Sequence, residues 1–416
     1  MTPSDTGSPS DQEALRAQQA FATVVLRQYW GFSDFRPAQR EVINSVLEKR
    51  DTLGLLPTGG GKSICFQVPG IVFGGVTLVI SPLISLMHDQ VAGLTMRGIP
   101  AFSMTGRVEP AVFGHVLTRM KGGPFFLYLA PERLKSRQLR RLIQQSSVRL
   151  IAVDEAHCIS SWGHDFRPAY RAISELRNAL PDVPMCAVTA TATPRTRRDI
   201  VQSLKMKAAR TIQSSFDRPN IHFSITHQMD ARPRVLSHLE STPGPAIFYD
   251  STRQGVEIWT EKLTRAGISV RAYHGGMDQA ERERNQRAWM QKKVRVMVAT
   301  NAFGMGIDRT DVRLVLHVGL PASLEAYYQE AGRAGRDGRP ALAEIIVTPD
   351  AQLARLALLQ DGTIRKLRVR RSRRLFGYMR RYVDRPLCRR WGLLGYFSEL
   401  SPQQCGNCDI CARQLP

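Results

Sequence analysis

Short, nearly continuous apolar runs alternate with helix-length segments over two stretches of the chain. Between residues 51 and 190 the runs fall at 51–56, 77–81, 126–130, 150–154 and 185–189. They are rich in Val, Ile, Leu or Phe and show little alternation, as expected of strands buried on both faces. The spacers suit helices, so the pattern predicts βαβ units and a parallel sheet. It restarts at 245–249, 270–273, 294–299, 314–318 and 343–347, and the polar segment SSFDRPN at 214–220 between the two sets reads as a linker. The expected fold class is α/β, with two tandem parallel-sheet lobes at 21–213 and 214–350 followed by a basic helical module at 351–416.

The ends of the chain depart from this pattern. MTPSDTGSPSDQEA has neither a basic start nor an apolar stretch, so it is no signal peptide, and residues 1–20 are expected to form a disordered tail. Residues 361–390 carry twelve Lys or Arg against two acids, with Leu367, Leu375, Phe376, Tyr378 and Met379 interleaved. A basic amphipathic helix is predicted there, its charged face either solvated or in contact with phosphates. Over the whole chain, 58 Lys plus Arg against 36 Asp plus Glu gives +22, which argues for a polyanionic partner. The longest apolar run, at 76–87, is broken by Ser81, Pro82 and Ser85, so no membrane span is expected. Sparse cysteines without a secretory signal fit a reducing compartment, the cytoplasm or bacterial nucleoid.

Candidate chemistry sits at the strand ends. In LGLLPTGGGKS a strand feeds Thr58, Gly59, Gly60 and Gly61, then Lys62, Ser63 and an apolar helix. Glycines let backbone N–H groups close around phosphates, and the helix adds its positive N-terminal dipole. Lys62 would reach the β- and γ-phosphates of ATP and Ser63 would coordinate Mg²⁺. The strict pattern asks for glycine where Leu56 stands. A second apolar strand ends in Asp154-Glu155-Ala156-His157, where Asp154 could hold Mg²⁺ and Glu155 could polarise an attacking water. Near the C-terminus, Cys388, Cys405, Cys408 and Cys411 have the spacing of a four-thiolate Zn²⁺ site, with an iron–sulfur cluster as the competing reading. Cys65, Cys158 and Cys186 read as buried small hydrophobes.

Taken in order, WGFSDFRPAQ, PTGGGKS, SPLISLMHDQ, APERL, DEAHCISSWGHDFRPAY, TATAT, AYHGGM, ATNAFGMGID and YYQEAGRAGRDG make the chain resemble the RecQ family of DNA helicases over residues 25–413. The resemblance implies RecA-like lobes. It implies that Phe32 stacks on adenine while Arg36 and Gln39 contact the base edge, and that 189–193 link the ATP site to lobe movement. It implies that Arg333 and Arg336 reach the γ-phosphate, Arg336 as the arginine finger, with Gly304, Asp308 and Gln329 at the same interface. SSWGHDFRPAY resembles the family's aromatic-rich loop, in which Ser161, Trp162, His164, Phe166 and Arg167 would bind single-stranded DNA; packing into the lobe core is the alternative.

Family members often continue into a winged helix and a further helical domain. The chain stops at Pro416, so these are expected to be absent, whether through a natural short form or a truncation. The resulting expectation is an ATP-dependent DNA helicase, a monomer acting 3′→5′ on single-stranded DNA and on tailed or forked duplexes in recombination and repair. The alternative is a DNA-stimulated ATPase, translocase or annealing protein without productive unwinding. Intact Lys62, Ser63, Asp154, Glu155, Arg333 and Arg336 count against a non-enzymatic scaffold, and the cysteine module against an RNA helicase.

Overall fold

A computed structural model describes residues 9–106, 108–160, 165–304, 309–351, 353 and 366–412. The chain divides into two units between Ser215 and Phe216. The first holds β1 (Thr52–Leu55), β2 (Val76–Ile80), β3 (Ala101–Met104), β4 (Phe125–Leu129), β5 (Val148–Val153), β6 (Met185–Thr189) and β7 (Arg210–Gln213). They form one sheet in the order β3-β4-β2-β5-β6-β1-β7, every pairing parallel. The second unit holds β8 (Ile221–His227), β9 (Ala246–Asp250), β10 (Val270–Tyr273), β11 (Val296–Ala299), β12 (Leu314–Val318) and β13 (Ala341–Val347). Their order is β10-β11-β9-β12-β13-β8, again parallel. This is the predicted α/β class with two parallel-sheet lobes.

The apolar runs mark the interior strands and the edge strand β10, and miss β3, β7 and β8, the other three sheet edges. Edge strands are covered less completely: in β7 only Ile212 is buried, and in β3 only Met104. Their sequences therefore carry polar residues that interior strands such as β2 and β4 exclude.

The expected disordered tail is corrected in part. Pro9–Trp30 is a helix, with Asp11 in its first turn, where a negative charge favours the helix dipole. Its anchor is Ala22, Val25 and Leu26, packed with Phe35, Ile43, Leu47, Ile64 and Val68. All three lie beyond residue 20, but Leu15 also packs against the cluster, and helix propagation from these contacts carries the structure back into the polar segment. The segment 214–220 is irregular, as a linker should be, yet it is fastened. Phe216 is buried against Tyr328 and Phe397 at ring-centroid distances of 5.8 and 5.0 Å. Its amide donates to Glu399 at 2.7 Å, and Arg218 donates to the carbonyls of Gly332 and Ala334, both at 2.8 Å.

The basic helix spans Lys366–Asp384. Leu375, Phe376, Met379, Tyr382 and Val383 face inward, while Arg370, Arg373, Arg374, Arg380 and Arg381 are exposed. Within the second unit, Glu344 of β13 is fully buried and pairs with His238, with Arg234 Nε at 3.1 Å and with the Thr226 hydroxyl at 2.8 Å. Burial would raise the Glu344 pKa, but these partners, His238 foremost, hold it below its ordinary value. A depressed carboxyl stabilises the fold above its unfolded-state pKa, and that contribution is lost as pH falls through the folded-state value. Glu344→Gln is therefore expected to cost about 2 kcal/mol at pH 7, with the gap to the parent closing below about pH 4. Thermal melts of both proteins across that range check it.

Candidate nucleotide and metal sites

β1 delivers the phosphate loop. Gly59 and Gly61 take φ of 78° and 71°, a region that residues with a Cβ avoid, and a Cβ on Gly60 would lie 2.8 Å from the Pro57 carbonyl oxygen. Lys62 and Ser63 follow, and the helix Ile64–Phe73 starts at once, so its N-terminus faces the loop. Gln39 is buried beneath the loop, its side-chain amide donating to the carbonyls of Gly60 at 3.0 Å and Gly61 at 3.3 Å. Arg36 donates to the Gly59 carbonyl at 2.9 Å. In this conformation the two residues expected at the base edge hold the loop itself. Phe32 is 55% exposed, open to a stacking partner.

β5 ends beside the loop and delivers the carboxylates. Lys62 Nζ lies 3.7 Å from Glu155 Oε1. Asp154 is held by its amide donating to Ile80 O at 2.8 Å and by the Tyr170 hydroxyl donating to its carbonyl at 3.0 Å. Burial and the adjacent Glu155 carboxylate push Asp154 up to about 7, against the pull of Lys62 and His157. Two desolvated carboxylates sharing one ammonium make a site that a hard divalent cation would neutralise, with Ser63, Asp154 and the phosphates as its oxygen donors. His157, which the motif contains but residue chemistry alone left without a role, bonds the Thr189 hydroxyl at 2.8 Å and approaches Glu155 Oε2 at 3.3 Å. It thereby ties the β5 end to the β6 end.

The aromatic segment is described from Asp165 onward; Ser161, Trp162 and His164 lie outside the described residues. Phe166 is partly buried under Arg171, 5.3 Å from the ring centroid. Arg167 donates to Pro82 O at 2.6 Å and pairs with Asp165 at 3.3 Å.

In the second unit, Arg333 is 6% exposed and sits against Gly304, where an added Cβ would approach its guanidinium to 2.9 Å. Tyr249 is its other neighbour: burial pushes the phenol up to about 12, and Arg333 opposes the shift. Arg336 and Gln329 are partly buried; Asp308 lies outside the described residues.

The four cysteines converge, with all sulfurs within 4.8 Å of one another and the pairs Cys388–Cys408 and Cys405–Cys411 each at 4.0 Å. A tetrahedron with ~2.3 Å metal–sulfur bonds has sulfur–sulfur edges of about 3.8 Å, so the cluster suits one four-coordinate ion and is far too open for disulfides. Backbone amides of Trp391, Asn407 and Cys411 donate to Cys388, Cys405 and Cys408 at 3.4–3.5 Å, stabilising thiolate charge. The cluster is built onto the sheet edge. Cys408 bridges Phe223 of β8, Asp409 takes a bidentate bond from Arg389 at 2.9 and 3.0 Å, and Arg390 binds Asp217 at 2.8 Å. A strand edge that would otherwise template aggregation is thereby covered.

Residues 36–200 match the DEAD/DEAH box helicase family, 227–338 the helicase conserved C-terminal domain and 350–412 the RecQ zinc-binding domain. The chain is 41% identical to the ATP-dependent DNA helicase RecQ of Haemophilus influenzae over 94% of its own length and 63% of the relative's. It is 39% identical to that of Bacillus subtilis over 94% and 66%, respectively. The chain belongs to the RecQ family. It spans a little under two thirds of the length of these RecQ relatives. Solved structures agree on the fold alone. The helicase MrfA bound to DNA matches with a TM-score of 0.66 at 20% identity, over 80% of this chain and 51% of that one. Yeast Dbp5 bound to RNA and ADP BeF3 matches with 0.62 at 18%, over 86% and 95%. The cysteine cluster falls inside the RecQ zinc-binding match, whereas β8, the edge it covers, lies ahead of the matched helicase C-terminal domain in all but its last residue.

Proposed function

We propose that this RecQ-family chain is an ATP-dependent DNA helicase that moves 3′→5′ on single-stranded DNA and opens tailed or forked duplexes in recombination and repair. The observation that carries the reading is the meeting of Lys62 with Glu155 at the mouth of a glycine loop, on a chain that also bears the RecQ cysteine cluster. The loop amides and Lys62 bind the ATP phosphates, with Phe32 stacked on the adenine. Ser63 and Asp154 hold Mg²⁺, which supplies charge neutralisation when bound. Glu155 orients and polarises the attacking water, and Arg333 and Arg336 place positive charge at the γ-phosphate. Gln39 and Arg36, now on the loop carbonyls, respond to the base. The cysteines hold a structural Zn²⁺. Among the described residues no helix is long and apolar enough to cross a membrane; a monomer working at the bacterial nucleoid is the setting proposed.

Opening duplex costs about 1.4 kcal/mol per step, roughly a tenfold bias against each advance, so strand separation has to be driven by hydrolysis. The test is ATP-dependent strand separation on matched 3′-tailed and 5′-tailed duplexes, with Lys62→Ala as control. Opening of the 3′-tailed substrate alone is expected. Stimulated ATP turnover with neither duplex opened would leave a translocase, and absence of turnover would overturn the reading. In the same assays Trp162→Ala is expected to weaken stimulation by single-stranded DNA by about tenfold, more than it lowers basal turnover, since base stacking on an aromatic face contributes about 1 to 3 kcal/mol.

A further inference from the structure

Tyr170 is fully buried, and its hydroxyl donates to the main-chain carbonyl of Asp154 at 3.0 Å. That carbonyl belongs to the peptide unit joining Asp154 to Glu155, whose N–H donates to Asp154 Oδ1 at 2.9 Å. Both polar ends of the unit are thus held. The restraint matters because Glu155 has φ 44° and ψ 50°, the left-handed region that a side-chain-bearing residue disfavours. Without this restraint the backbone at Glu155 could relax out of the left-handed region by a change in φ that re-aims its Cα–Cβ bond. Such a change would swing the Glu155 carboxylate away from Lys62, 3.7 Å off, and from His157, 3.3 Å off.

Tyr170 is also the inner end of the aromatic segment. Its own amide donates to the Arg167 carbonyl at 3.0 Å in the short turn Pro168–Ala172. The Arg167 amide in turn donates to Cys158 O at 2.8 Å.

We propose that Tyr170 is a positioning residue for hydrolysis: its hydroxyl fixes the Asp154–Glu155 peptide so that Glu155 faces the attacking water. The inference rests on the ATP-driven reading above. It is tested with Tyr170→Phe in the full chain, which keeps the buried ring and removes only the donor. At saturating single-stranded DNA, kcat for ATP is expected to fall about tenfold or more, while KM for ATP and the half-stimulating DNA concentration move less than about twofold. Tyr170→His, whose shorter ring cannot carry a donor to that carbonyl, is expected to show a loss at least as large. Circular-dichroism melts fix a temperature at which parent and variants are all folded, and kcat is read there. A kcat within about twofold of the parent overturns the proposal, as does a loss of kcat matched by an equal rise in KM for ATP. A parent without DNA-stimulated turnover would instead remove the underlying reading.

Discussion

Glu155→Gln is expected to lower DNA-stimulated ATP turnover by about 10² to 10⁴-fold while leaving nucleotide binding intact. The amide is nearly isosteric, so the strand end and its hydrogen bonds survive, but it cannot attract a proton from water. The native carboxylate can, and it is held in one place, with one oxygen 3.7 Å from Lys62 and the other 3.3 Å from His157. Removing its charge also frees Lys62 from an ion pair, so affinity for ATP should hold or rise. Lys62→Ala makes the contrast, because it removes the cation that meets the phosphates and should weaken binding together with turnover. Single-turnover hydrolysis with a separate nucleotide-binding titration distinguishes the two variants. Retained hydrolysis in Glu155→Gln would overturn the site.

Removal of the metal should have the second large effect, confined to the other unit. Cys408→Ser is expected to take the protein from one bound zinc to none and to unfold the cysteine module. Structural zinc sites bind with apparent free energies of about 10 to 16 kcal/mol in small peptides, as much as the whole stability of an ordinary domain. Cys408 is fully buried and bridges Phe223, so losing the site also strips the cover from β8. Aggregation through the freed edge and faster tryptic cleavage within the Arg-rich helix Lys366–Asp384 should follow. Nucleotide binding by the first unit should persist. Elemental analysis finding no zinc in the parent protein would refute the assignment.

The two predictions differ in how much of their basis the residue order already carried. Lys62, Ser63, Asp154 and Glu155 were legible because phosphate and metal chemistry demands those residue types at strand ends, and the strands were visible as apolar runs. The cysteine cluster was legible because two C-x-x-C steps leave little freedom in ligand geometry. His157 and Tyr170 were less legible as working parts. Their partners, Thr189 and the Asp154 carbonyl, are 32 and 16 residues distant in the chain. Arg167, expected at DNA from the aromatic segment, likewise has guanidinium partners that its place in the sequence does not announce, Pro82 and Asp165.

The sequence by itself determined the α/β class, the interior strands, the order of the two lobes and the residue types at the phosphate loop, the acidic strand end and the cysteine cluster. These follow from local rules: continuous apolar runs for doubly buried strands, glycine for tight phosphate loops, fixed spacing for metal ligands. Only the tertiary structure decided the edge strands β3, β7 and β8, the ordering of the helix Pro9–Trp30, the fastening of Phe216 and the seating of the cysteine cluster on β8. Each depends on burial or pairing supplied by residues far along the chain, and a local pattern carries no record of a partner that only folding brings near.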